Sequence, residues 1–140
     1  MRILPREDSL SAPYWAGARQ GQLLLQCCRG CATFIHPPLP MCPQCRGQDL
    51  DWKPSQGRGT VHSFTVVHHA AHPAMKDRVP YLVALVTLDD GPRMVCNIVN
   101  TSGTHVAIGM RVDLTFERLC EEVALPQFQP RVEDNRSKET

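Results

Sequence analysis

Two Cys-x-x-Cys pairs are the residues of this sequence whose types and spacing could do chemistry. Cys28 and Cys31 form the first pair, Cys42 and Cys45 form the second, and ten residues separate the pairs. Two turns of this kind can place four sulfurs at the corners of a tetrahedron, about 2.3 Å from one zinc ion. Four thiolates leave no open position for water or substrate, so we expect one structural zinc per chain. Iron is the alternative ion, because the same ligands accept it.

The three other cysteines are expected to be structural. Cys27 could compete with Cys28 as a ligand, but the two-residue spacing within both pairs favours Cys28. Cys96 and Cys120 lie in or beside predicted strands, where a small buried apolar side chain is the expectation. We therefore predict that none of these three thiols is a nucleophile.

Neither the histidines nor any known catalytic motif indicates an active site in this sequence. His68, His69 and His72 cluster in a predicted loop, but no carboxylate follows until Asp77, which favours a solvated loop over a second metal site or a general base. The sequence contains no Gly-rich phosphate loop, no nucleophile elbow and no His-Glu-x-x-His helix. We therefore predict that the chain is not an enzyme by itself.

Length and charge narrow the class of protein. A chain of 140 residues has the size of one domain, or of two small modules that share a core. The formal charge of +1 falls to about −1 when four thiolates hold a dication, whereas a nucleic-acid binder usually carries an excess of Lys and Arg.

The compartment follows from the apolar pattern. No charged-then-apolar leader opens the sequence and no apolar run reaches about 18 residues, so we expect a cytoplasmic protein without a membrane segment. Thiols stay reduced there, which favours metal binding over disulfides, and the odd count of seven cysteines agrees.

A short helix is predicted in the N-terminal segment, residues 1–20. Positions 10–20 are typical of a helix with Ser11 as its cap and Pro13 in its first turn. Its apolar stripe consists of Tyr14, Trp15 and Ala18. A helix this short is not stable alone in water, so it must dock on the body of this chain, which we expect, or on a partner subunit.

The cysteine pairs belong to a zinc ribbon over residues 21–55, which a strand enters at positions 23–28. Short β runs follow, and a closed OB-type barrel over residues 56–125 fits them better than a sandwich. We predict strands at 60–68, 81–88, 93–99 and 111–117, with a long loop at 69–79. Because the run 81–86 is apolar at every position, we expect it to be covered on both faces.

The C-terminal tail, residues 126–140, is predicted to be extended and partly disordered, because its last ten residues are mostly charged or polar. An apolar, proline-containing stretch at its start could dock on a partner. Its candidate residues are Leu125, Pro126, Phe128 and Pro130. The alternative is a tail folded back over its own barrel.

An ordered set of motifs resembles a known family over about residues 10–130. The motifs are Leu24-Leu25-Gln26, the two cysteine pairs, Pro40-Met41, the run from Gly57 to His68, Pro80-Tyr81, Asp90-Gly91-Pro92-Arg93 and Ile108-Gly109-Met110. Together they resemble the acyl-CoA-associated OB-fold family with an N-terminal rubredoxin-like zinc ribbon. Two positions depart from the family pattern: Ala32 replaces a usual glycine, and Cys27 replaces an arginine or another polar residue.

The resemblance implies a fold that is mainly β: a short N-terminal helix, a rubredoxin-like zinc ribbon and a five-stranded OB-fold barrel. It also implies a non-catalytic accessory subunit that bridges and supports a thiolase-superfamily acyltransferase, condensing or aldolase complex acting on acyl-CoA or acetyl groups. Phloroglucinol acetyltransferase and steroid-degradation aldolase and hydratase assemblies are examples. The implied partners are thiolase-like subunits in a hetero-oligomer, and they would bring the catalytic groups.

Candidate contacts to acyl-CoA or to the partner are Arg58, Arg78, Tyr81 and Arg93. A stand-alone acyl-CoA binder is one alternative function, in which these arginines and Lys76 would meet the nucleotide phosphates. A single-stranded nucleic-acid binder is another, since OB barrels often stack bases on aromatic side chains. The near-neutral charge and the few aromatic residues of the predicted strands disfavour it.

Overall fold

The computed structural model describes residues 4–131, so the predictions made for residues 1–3 and 132–140 lie outside the described residues. The helix and strands within this range are α1 (Ala12–Arg19), β1 (Leu24–Cys28), β2 (Phe34–Ile35), β3 (Leu50–Pro54), β4 (Arg58–Val67), β5 (Tyr81–Leu88), β6 (Arg93–Ile98), β7 (Arg111–Arg118) and β8 (Ala124–Pro130). Two short 3₁₀ turns, Pro73–Met75 and Gly103–His105, lie in the loops that follow β4 and β6.

The ribbon is a three-stranded antiparallel sheet in the order β2-β1-β3. Its central strand carries Gln26, which is buried and uses both ends of its side-chain amide. The Gln26 amide nitrogen donates to the Leu39 carbonyl at 2.9 Å, and the Leu39 N–H donates back to the Gln26 amide oxygen at 2.7 Å. These bonds hold the proline-rich segment between the cysteine pairs against the sheet.

The barrel is closed, with five strands in the order β4-β5-β6-β8-β7, as predicted. Residues of β5 alternate between buried and half-buried: Leu82 and Val86 point into the core, and Val83 and Leu85 point outward. The expectation that both faces of β5 are covered is therefore only half right. The outward apolar residues lie beside Val95, whose side of β6 is also open, with 68% of the residue exposed.

The last barrel strand corrects the predicted boundary at residue 125. β8 pairs antiparallel with β7 along its whole length, and Phe128 is fully buried, so the barrel continues to Pro130. The predicted docking strap is therefore not a free segment, because its residues belong to this strand: Leu125, Pro126, Phe128 and Pro130. The observed arrangement is the alternative in which the chain end folds back over its own barrel.

Two prolines in β8 are compatible with the strand because of the direction in which they face. Val99 donates its N–H to the Phe128 carbonyl at 2.9 Å, so the backbone of Phe128 turns towards β6 and away from β7. Strand backbones alternate with a period of two, and Pro126 and Pro130 therefore turn the same way. The missing proline N–H groups lie on the side where β7 needs no donor.

Helix α1 docks on β1 and β8 of its own chain, as expected. Tyr14 and Ala18 are buried, and Trp15 packs at the edge of the core. Gly17 allows the close approach, because a Cβ at this position would lie 2.6 Å from Leu24 Cγ. The helix therefore serves as a wall of the barrel rather than as a free element.

The helix cap differs from the prediction. Ser11 makes no side-chain bond to the first helical turn. Asp8 and Ser11 instead bond reciprocally: the Ser11 N–H donates to the Asp8 carboxylate at 2.7 Å, and the Asp8 N–H donates to the Ser11 hydroxyl at 3.2 Å. This arrangement resembles a capping box, and the Ser11 N–H lowers the pKa of Asp8.

We predict that Phe128→Ala lowers the free energy of unfolding by about 3 to 5 kcal/mol, because it opens a cavity in the barrel core. Leu125→Ala, on the outward face of the same strand, should lower it by only about 1 kcal/mol. Urea unfolding followed by circular dichroism measures both. Equal and small effects would mean that the chain end does not close the barrel.

Candidate functional site: a four-cysteine metal centre

The two cysteine pairs meet at one end of the ribbon. Their sulfurs all lie within 4.8 Å of one another. The Cys28 and Cys45 sulfurs are 3.5 Å apart, and the Cys31 and Cys42 sulfurs are 3.6 Å apart. A tetrahedron with metal–sulfur bonds of about 2.3 Å has sulfurs about 3.8 Å apart, so the four side chains fit one tetrahedral ion.

Each pair begins a tight turn with the same geometry. The N–H of Ala32 donates to the Cys28 carbonyl at 2.7 Å, and the N–H of Arg46 donates to the Cys42 carbonyl at 2.9 Å. Both Ala32 and Arg46 are left-handed, with φ of 62° and 64°. Gly47 leaves room for the sulfurs, because a Cβ there would lie 3.2 Å from Cys45 Sγ. The two halves of the site are therefore near-copies.

Proton sharing within the cluster explains why it needs a cation. Hydrogen bonds from the hydroxyl and backbone of Thr33 lower the pKa of Cys31 to about 6. The Gly47 N–H lowers the pKa of Cys45, but hydrogen bonds with Cys28 and Cys31 outweigh it and raise that pKa to about 12. Four adjacent thiols thus resist full ionisation, since like charges repel, and a dication removes that penalty.

One residue of this site was missed from the sequence. The Thr33 hydroxyl lies 3.1 Å from Cys31 Sγ. A hydroxyl two residues after a ligating cysteine is the signal that could have identified it, because metal-bound sulfurs commonly accept such bonds. Cys27 is buried but lies outside the four-sulfur cluster.

The four predicted acyl-CoA or partner contacts do not form one site. Arg78 and Tyr81 line the same hollow of about 350 Å³ at one end of the barrel, together with Asn97 and Asn100. The Arg78 guanidinium donates to the carboxylate of Glu117 at 2.7 Å. The guanidinium is thereby held at the edge of the hollow.

Arg58 and Arg93 lie elsewhere. Arg58 is opposite Asp113 in the β4–β7 pairing and helps lower the pKa of Asp89, after the larger effect of the hydrogen bond from Arg111. Arg93 is exposed and lines a groove between the ribbon and the β5–β6 hairpin.

The histidine loop and Cys96 are placed as expected, but Cys120, which was expected to be buried, is only partly buried, and its Sγ lies 3.7 Å from a carboxylate oxygen of Glu122. His72 Nδ1 accepts the Ala74 N–H at 3.0 Å and caps a 3₁₀ turn, while His68 and His69 are exposed. Burial raises the pKa of Cys96 to about 12. Within residues 4–131, the four cysteines are the one cluster of metal-ligand type.

The longest helix of the described range is the eight-residue α1, so this part of the chain holds no helix able to span a bilayer.

The fold and the site together define a class: a rubredoxin-like zinc ribbon joined to a five-stranded OB barrel. The family model for the ChsH2 rubredoxin-like zinc ribbon domain matches residues 15–51, and the model for the ChsH2 C-terminal OB-fold domain matches residues 52–117. The chain belongs to the DUF35 family of these ribbon and OB proteins. The resemblance found in the sequence is thereby confirmed.

Three relatives illustrate the family. The probable enoyl-CoA hydratase alpha subunit of Thermomonospora curvata is 39% identical over 98% of this chain, which spans only 42% of that relative's length. A DUF35 domain-containing scaffold protein of Methanocaldococcus jannaschii is 33% identical over 68% of this chain and 67% of its own length. A chain of the Ltp2-ChsH2(DUF35) aldolase structure is 40% identical, with a TM-score of 0.83, covering 91% of this chain and 99% of that one.

We predict that Cys42→Ser abolishes metal binding, because it removes a buried ligand that no other residue of the cluster can replace. Cys27→Ser is the matched control and should keep one ion per chain, since its sulfur lies outside the cluster. Elemental analysis of the purified proteins by mass spectrometry gives the ratio of metal ions to protein chains. Loss of the metal in both variants would contradict the ligand assignment.

Ala32→Gly is predicted to stabilise the metal-loaded protein by about 0.5 to 1 kcal/mol. A left-handed alanine is strained, and glycine relieves that strain by somewhat more than its entropy costs. Chemical unfolding at saturating metal measures the difference. Gly21→Ala, at φ 77° with nothing within 4 Å of the added Cβ, is the reverse control and should destabilise; a destabilised Ala32→Gly would count against the strain argument.

Proposed function

We propose that this chain is a non-catalytic accessory subunit that bridges and supports a thiolase-like acyltransferase, condensing or aldolase enzyme acting on acyl-CoA. The observation that carries the proposal is the 40% identity to a chain of an aldolase complex, over 99% of that chain. The names of two further relatives, a scaffold protein and a hydratase alpha subunit, point the same way.

The chemistry of the metal site supports a structural rather than a catalytic role. Four sulfurs complete a tetrahedral ion, so no position remains for a water or a substrate oxygen. The ion we propose is zinc, held by Cys28, Cys31, Cys42 and Cys45, which would join the two turns of the ribbon. Reduced thiols fit the cytoplasm that we propose as its location.

The hollow beside Arg78 and Tyr81 is the place we propose for contact with coenzyme A or its acyl group. It combines a cation and amide side chains with an apolar floor that includes Val66 and Leu82. These are the features by which a pocket binds an amphipathic ligand. Arg58 and Arg93 do not line this hollow, so we assign any contact they make to the partner protein.

The nucleic-acid alternative gains no support from the barrel surface. Phe64, one of the aromatic residues it would need for stacking, packs against the core. A stand-alone acyl-CoA binder stays an alternative that calorimetry with the isolated chain can test.

We predict that the full chain, purified from its native host, carries a thiolase-like subunit in a fixed ratio and that the chain alone does not turn over acyl-CoA. Quantitative mass spectrometry of the purified complex and an activity assay of the separated subunits check both points. Turnover by the isolated chain, or purification without any stoichiometric partner, would overturn the proposed function.

Arg78→Gln in that complex should weaken coenzyme A binding about tenfold, because it removes one charge-assisted contact. Arg58→Gln, outside the hollow, is the control and should leave the Kd unchanged. Calorimetric titration of the complex with coenzyme A measures both. An unchanged Kd for Arg78→Gln would remove the hollow from the proposed site.

A further inference from the structure

The barrel closes weakly between β6 and β8, a junction that we call the seam. The two strands run parallel and share one backbone pair, Ile98 with Phe128. Next to this pair a side chain replaces the strand partner: the Asn97 N–H donates to the Gln127 side-chain oxygen at 2.7 Å, and the Gln127 amide donates to the Asn97 side-chain oxygen at 3.2 Å. Towards their N-terminal ends the strands separate.

The seam-side edge of β6 therefore has free backbone groups. Because the N–H of Asn97 points to β8, the period of two in a strand turns the backbone of Val95 and Arg93 the same way, away from β5. Within residues 4–131, the N–H and C=O groups of Val95 and Arg93 have no hydrogen-bond partner on this side. Such a row of unpaired groups is a template for another strand.

An open cleft of about 300 Å³ lies along this edge. It is bounded by β6, by the start of β8 and by the aromatic side chains of α1, and Val95, Trp15, Leu125 and Pro126 line it. No charged side chain lines the cleft. Arg93 is on the same face of β6 two residues before Val95, at the start of the strand, where it is exposed and has no ion pair among the described residues. The cleft thus pairs an apolar floor with one free cation at its end.

We propose that an extended segment of the partner subunit adds to the free edge of β6 as a further strand. The segment would place an apolar side chain beside Val95 and an acidic side chain beside Arg93, since cross-strand neighbours of these types attract. This inference rests on the proposed function and names where and how the partner binds.

The shape and charge of the cleft favour a partner segment over other occupants. A second copy would add its own β6, whose residues on the same face are Arg93, Val95 and Asn97, and none of them is an acid that could pair with Arg93. The chain beyond Arg131 is a poor match, because it leaves the barrel at the C-terminal end of β8, whereas Val95 lies opposite the start of that strand. Its one apolar residue, Val132, directly follows that distant end, and five of residues 132–140 are charged. β8 cannot be the template, because Pro126 lacks the seam-side N–H.

Val95→Pro tests the backbone contact directly. It removes the seam-side donor without removing a bond to β5, so the chain should fold and keep its metal. Partner affinity in the complex should fall about tenfold or more, while Val95→Thr, which keeps the N–H and the branched shape, should bind nearly as the native chain does. Equal affinity of the proline and native chains, or equal losses in the proline and threonine variants, would overturn the proposal.

Amide hydrogen exchange on the native chain gives an independent readout that needs no variant. In the isolated chain the Val95 amide should exchange about a hundredfold faster than that of Cys96, which is paired with β5; in the complex it should slow at least about tenfold. A protected Val95 amide in the isolated chain overturns the proposal, whether a second copy or residues 132–140 cause the protection. Light scattering detects a second copy, and a chain that ends at residue 131 tests whether residues 132–140 are the cause.

The two proposals fail in different ways. If no stoichiometric partner is found, the proposed function falls and this inference falls with it. If the complex forms but Val95 stays unprotected, only the docking site on β6 is overturned.

Discussion

The repulsion among four adjacent sulfurs is the constraint on which the N-terminal half of this protein depends. Two near-identical turns bring the sulfurs of Cys28, Cys31, Cys42 and Cys45 within 4.8 Å of one another. Without a cation, such a cluster must keep protons on some of its thiols; with one, all four become ligands. A sheet of three short strands has little core of its own, so metal binding contributes much of its folding free energy.

The ribbon and the barrel are one continuous packing unit. Leu23 and Leu25 from the ribbon side belong to the same buried cluster as the barrel residues Val86 and Phe128. Helix α1 contacts both modules and lies against the seam where β6 and β8 separate. The metal therefore affects more than the ribbon: it fixes one wall against which the barrel packs, and so the surface that the barrel offers to another protein.

The sequence predicted the elements whose signals are local. Cysteine spacing predicted which four sulfurs come together, and alternation and turn residues located β4 to β7 within one or two residues. The last strand was missed, because Pro126 and Pro130 suggest an extended tail until the direction of their missing N–H groups is known. The open edge of β6 was also beyond reach, since the local pattern of Arg93 to Asn97 is that of an ordinary strand. Only the pairing with β8, about thirty residues away, shows which backbone groups are left free.

The central claim is that one ion is bound by sulfur from four cysteines and completes the fold. X-ray absorption at the zinc edge of the purified native chain tests it most directly. The account predicts a first shell of four sulfurs at about 2.3 Å and no oxygen or nitrogen ligand. A shell with fewer than four sulfurs, or with a bound water, would contradict a closed structural site, because it would leave a coordination position at which the metal could act on a substrate.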